Sequence, residues 1–108
     1  MRRATVLLLA VVGLAAAQDD RTFTGVITDD MCATGDHAPM GMGDTDAECV
    51  KACIEAHGAS YVLYDGTSAY PLSDQRRPEA FAGQRVQVVG TLDEQTHTIQ
   101  VRAITAAK

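Results

Sequence analysis

Three cysteines fall within 22 residues of this 108-residue chain: Cys32, Cys49 and Cys53. Met31, His37, Met40, Met42 and His57 stand around them. Thiolates and imidazoles grouped in this way hold soft or borderline metal ions, and three cysteines with one histidine form a recognised zinc set. Soft thiolates beside methionines suit Cu(I) equally well. Cys49 and Cys53 are four apart, so on a helix both side chains leave the same face. Their β-carbons would then lie about 5–6 Å apart, whereas a disulfide wants about 3.8 Å. That arrangement suits two ligands on one ion better than a bridge. Cys32 and a histidine would complete a tetrahedron. His37 is the first choice, because its loop can fold back over the helix. His57, one helical turn past Cys53, is the alternative.

The same cysteines support a reading from a different class. Cys32 bridged to Cys49 or Cys53 would pin a long loop onto the helix. Closing that loop would stabilise the fold by roughly 3 kcal/mol in the chain-entropy account. One thiol would be left over, and the stapled domain would serve as an interaction or ligand-binding module. An oxidising compartment favours the bridge. The odd count, the same-face pair and the nearby His and Met side chains favour the metal. Two further uses rank below these. Cys53 and His57 could pair as nucleophile and base, but no third group is evident to orient the base. Small buried cysteines also serve as plain core filler. The C-x3-C spacing is not the C-x-x-C of thioredoxin-like redox proteins. The expectation is therefore a domain that is not an enzyme.

These side chains need a helix and a scaffold to hold them. Thr45-Asp46-Ala47-Glu48 reads as a capping box, and Gly58 as a left-handed stop, which predicts a helix ending near His57. Its phase puts Glu48, Lys51 and Glu55 in water and Ala47, Val50 and Ile54 in the core, with Cys49 and Cys53 on the border of the buried arc. Before it, Thr22–Thr28 reads as a strand with Phe23, Gly25 and Ile27 on one face; Gly25 suggests a bulge or tight bend. Residues 29–44, with four Asp, three Gly and no helical period, read as a long loop. After the helix the chain is β-rich. Asp65-Gly66 is a hairpin signal between Tyr61–Tyr64 and Ser68–Leu72, and Pro71 marks an edge or a strand end. Residues 77–83 look like one short helical turn. Gln84–Leu92 and Thr96–Ile104 alternate and are joined by Asp93-Glu94-Gln95.

The other end of the chain fixes the expected compartment. Met1-Arg2-Arg3 is basic, Ala4–Leu14 is apolar, and Ala15-Ala16-Ala17 has the small-x-small pattern of a cleavage site, so residues 1–17 read as a signal peptide. Without them the net charge moves from −5 to −7, because Arg2 and Arg3 leave. An acidic domain of this kind is a poor candidate for nucleic-acid binding, and none is expected; nothing in 18–108 approaches the ~20 apolar residues of a membrane span. Five short strands and one helix hide their sheet edges best in a small closed or partly open barrel. The expected fold is mainly β with one helix: a five-stranded OB-like barrel over residues 18–108, its helix following the first strand, its Cys/His-bearing loop and helix spanning 29–58, with a curved open sheet carrying the helix across one face as the runner-up.

The run Gly25-Val26-Ile27-Thr28-Asp29-Asp30-Met31-Cys32, with His37, Cys49-x3-Cys53 and Val86-x-Val88-x-Gly90-Thr91, resembles a group of small exported bacterial proteins of unknown function. In that group a strand ends in Asp-x-x-Cys, a His-bearing loop and a C-x3-C helix follow, and a β-barrel closes the domain. The resemblance implies an exported, periplasmic or extracellular protein and treats Cys32, His37, Cys49 and Cys53 as a unit. It implies no activity and does not choose between metal and disulfide. The combined expectation is an exported domain whose Cys/His cluster binds Zn or Cu, with the disulfide-stapled module as the alternative and the identity of any protein partner open.

Overall fold

The structure, a computed structural model, describes residues 19–32 and 45–107. The expected signal peptide, His37, Met40 and Met42 lie outside the described residues. The described residues contain five strands and one α-helix: β1 (Arg21–Asp29), α1 (Asp46–His57), β2 (Tyr61–Tyr64), β3 (Ala69–Pro71), β4 (Arg85–Asp93) and β5 (Thr98–Ala106). A 3-10 turn at Arg77–Phe81 precedes β4, with Pro78 near its start.

The strands form a single sheet in the order β3-β2-β1-β4-β5, with every neighbouring pair antiparallel. β1 is central, and it changes partner along its length. Its first half pairs with β4, from Arg21 opposite Gly90 to Val26 opposite Arg85. Its second half pairs with β2, from Val26 opposite Tyr64 to Asp29 opposite Tyr61. The chain leaves this second half directly for Cys32, so the sheet's centre positions the cluster.

Three expectations change here. The sheet does not close into a barrel. β3 is only three residues long and ends at Pro71, which has no N–H to extend a ladder. The two edges touch at one parallel bridge, Leu72 to Ile99, where Ser73 N–H donates to the Ile99 carbonyl at 3.0 Å. The Ser73 hydroxyl then accepts from Val101 N–H at 2.8 Å, substituting for a backbone carbonyl. Second, Gly25 makes no bulge. Its register with Val86 is unbroken, and the irregularity lies at Val89/Gly90 in β4. Gly25 is required for close approach instead, since a β-carbon there would lie 2.2 Å from the Tyr64 carbonyl oxygen. Third, β1 runs one residue further than expected, so Asp29 is a buried strand residue and not part of the loop.

The core lies on the α1 side of alternating strand positions. Phe23 and Ile27 from β1, Leu63 from β2, Val86 and Val88 from β4 and Ile99 from β5 meet Val50 of the helix. The alternation expected for β1 and β4 is the one observed. Tyr61 is buried in this core, while Tyr70 packs between Phe23, at 5.6 Å between ring centroids, and His97, at 4.5 Å. His97 is not a strand residue. It ends the β4–β5 turn at φ 61° and stacks its ring on Tyr70.

Candidate functional site

Two short segments bring the cysteines together. The first is the exit of β1. Asp29 folds its carboxylate back so that Oδ1 accepts from Met31 N–H and Cys32 N–H, both at 2.9 Å. An aspartate accepting amides two and three residues ahead makes a tight local turn without further help. Thr28 adds its hydroxyl, which donates to the Cys32 carbonyl at 3.0 Å. Asp30 and Ser60 then exchange hydrogen bonds, tying this turn to the chain beyond α1.

The second segment is α1 itself. The Thr45 side chain accepts from Glu48 N–H at 3.2 Å, the cap its spacing implied. Gly58 is left-handed at φ 66° and returns its N–H to the Cys53 carbonyl. Cys49 and Cys53 thus leave one face of a helix capped at both ends. That face is more deeply buried than the sequence phase suggested: Cys49, Val50 and Cys53 are buried, while Ala47 and Ile54 are only partly so. The helix has two partners, which widens its buried arc. Val50 and Ile54 meet the sheet core, and Cys49 and Cys53 meet Cys32.

The three thiols form their own cluster, with Ala59 packed against it. Cys32 is 5% exposed, Cys49 1% and Cys53 0%. Their sulfur atoms all lie within 4.8 Å of one another, close enough to hold a metal ion, and none is in a disulfide. A tetrahedron with metal–sulfur bonds of about 2.3 Å has edges of about 3.8 Å, so a contraction of no more than about 1 Å would complete three corners. Burial pushes the Cys53 thiol up to about 12, and the Asp29 carboxylate and the other two sulfurs add to that shift. Cys32 is raised for the same leading reasons, burial first and Asp29 second. A dry, strongly raised thiol is a poor nucleophile, since the thiolate is the reactive form. His57 sits exposed at the end of α1.

Asp29 is the member of this neighbourhood that spacing did not reveal. It is fully buried, and its Oδ2 has no hydrogen-bond partner among the described residues. Of the sequence's nominated ligands, Cys32, Cys49 and Cys53 converge, and His37 lies outside the described residues. Only the Asp-x-x-Cys wording of the motif hinted at Asp29, and burial is not visible in a motif.

The family described as "Protein of unknown function (DUF5818)" matches residues 53–107, just over half of the chain. The chain belongs to this family. The matched part runs from Cys53 through β5, so it covers most of the sheet and only one of the three cysteines. No curated protein and no solved structure matches the chain. Among the described residues, no helix is long and apolar enough to cross a membrane.

Proposed function

We propose that this chain is an exported, non-enzymatic domain whose cysteine cluster binds a soft or borderline metal ion, zinc or copper. One observation carries the reading: three buried sulfurs from two separate segments converge to within 4.8 Å. Burial of three polarisable ligand atoms in one dry spot suits a structural metal site, where binding and local folding are coupled. Cys32, Cys49 and Cys53 supply three ligands. By sequence spacing, His37 is the nominee for the fourth. The sheet belongs to this proposal as the scaffold of a partly open, OB-like barrel, whose edges approach at Leu72 and Ile99.

Thiol titration under denaturing conditions, with elemental analysis of protein taken from its native compartment, tests the reading. The expected result is three titratable thiols before reduction, one metal ion per chain, and a melting temperature lowered by a chelator. Any single Cys→Ser substitution should abolish stoichiometric metal. One titratable thiol before reduction, with no chelator effect and one Cys→Ser variant as stable as the parent, would establish the disulfide-stapled module instead.

A further inference from the structure

The buried carboxylate beside the cluster is costly as it stands. An ionised carboxylate taken out of water without a partner for each oxygen is strongly unfavourable. Asp29 is 0% exposed, and two backbone amides satisfy Oδ1. Oδ2 is left over. Burial acts most strongly on the Cys32 and Cys53 thiols, and the Asp29 carboxylate acts next, both favouring the protonated form. Among the described residues, the ion pairs are Arg77–Asp74 and Arg102–Asp20, and neither involves Asp29. Loss of the thiol protons would set three thiolates beside this carboxylate, a concentration of negative charge that a bound cation would offset.

We infer that Asp29 is the carboxylate of the cation site, its Oδ2 facing the bound ion, and that this makes the site one for a divalent cation rather than a monovalent one. The inference rests on the metal-binding reading above and adds a residue and an ion class to it. Three thiolates and one carboxylate carry four negative charges. A divalent ion leaves two uncompensated, and a monovalent ion leaves three. The carboxylate's attraction for the ion scales with the ion's charge. Asp29 lies outside the group of atoms within 4.8 Å of one another, which contains only the three sulfurs. It therefore acts as a positioning residue that adds an attractive field for the cation around the sulfur ligands. Its Oδ1 sets the turn that presents Cys32, and its Oδ2 supplies the field.

Asp29→Asn separates those two roles, because the amide oxygen can still accept from Met31 N–H and Cys32 N–H while the charge is gone. The probes are Cd2+ and Ag+, two thiophilic closed-shell ions of different charge, titrated by competition into the reduced, metal-free full chain. The expected result is three titratable thiols, an unchanged or higher melting temperature without metal, and Cd2+ affinity lower by about 10–100-fold, the range for lost partners of metal ligands. Ag+ affinity should fall only by about the square root of that factor, since its charge is half as large. Equal losses for both ions would mean structural damage and would overturn the assignment, as would a Cd2+ loss below about threefold. Asp29→Ser, whose hydroxyl can also accept from the turn amides, should reproduce the unequal loss if the asparagine variant does not fold. If the parent chain binds neither ion, the metal reading itself fails; if it binds Cd2+ and the variants bind it equally well, only the role of Asp29 fails.

Discussion

Replacing Gly83 with alanine tests whether the sheet positions the cysteine-bearing helix. Gly83 follows the 3-10 turn at φ 75°, and its N–H donates to the Ile27 carbonyl at 2.8 Å. A β-carbon there would lie 2.7 Å from the Ala47 backbone nitrogen and 3.1 Å from the Ala47 α-carbon. Those are backbone atoms in the first turn of α1, so they cannot swing aside as a side chain would. Gly58 provides the control, since it is also left-handed, at φ 66°, but a β-carbon there meets nothing within 4 Å. Gly58→Ala should therefore cost only left-handed strain, roughly 1–2 kcal/mol, less about 0.4–1 kcal/mol regained from a stiffer unfolded chain. Gly83→Ala carries the same balance plus a steric clash of about 1–3 kcal/mol. At about 4–8 °C per kcal/mol for a domain of this size, Gly83→Ala should melt at least ~4 °C below Gly58→Ala. It should also weaken metal binding, because Cys49 is two residues beyond the displaced Ala47. Thermal melts and metal titration of the two variants check both points. Equal melting temperatures would refute the argument that α1 is seated on Gly83.

Two further outcomes are expected. Thr45→Ala removes the acceptor for Glu48 N–H and should cost about 1 kcal/mol in urea unfolding, whereas Lys51→Ala, on the exposed face, should change stability by less than ~0.5 kcal/mol; the reverse order would mean that the helix phase is wrong. The reduced, metal-free protein should lose stability in alkali. Cys53 is raised from 9.0 to about 12, so the unfolded chain gives up this proton first, and stability present below pH 9 is lost as pH rises toward 12. Cys53→Ser should flatten that decline in a series of melts across pH 8 to 12, and an unchanged decline would remove Cys53 as its source.

The elements were legible where local chemistry determines them. Thr45 and Gly58 set the ends of α1, and both do so through the hydrogen bonds their types imply. The alternation of Val86 and Val88 placed one face of β4 in the core because a strand's period is two. What spacing could not supply was the contact of distant segments. Gly25 reads as a flaw in a strand until Tyr64 is seen against it. The helix phase pointed to one apolar face, but α1 has two partners, and the second is a turn that precedes it by more than a dozen residues. Barrel closure depends on whether a three-residue strand ending in proline can pair, and hydrophobic periodicity does not report that. Asp29 was hidden for a related reason. In sequence it begins an acidic loop, and only its position opposite Tyr61 in the sheet shows that it is buried.

The placement of the cysteine cluster links the proposed metal site to the fold. Val50 packs into the main core, while its neighbour Cys49 and the next-turn Cys53 pack against Cys32. One short helix thus separates a hydrophobic core from a dry sulfur cluster. On the β1 side the connection is equally short. Ile27 lies in the core, and Thr28 and Asp29 hold Cys32 through side-chain hydrogen bonds. An ion pulling the three sulfurs together would therefore draw α1 toward the end of β1, the strand through which β2 and β4 are joined. Metal binding should stabilise the whole sheet and not only the loop, because its ligands are anchored on the two elements that frame the core.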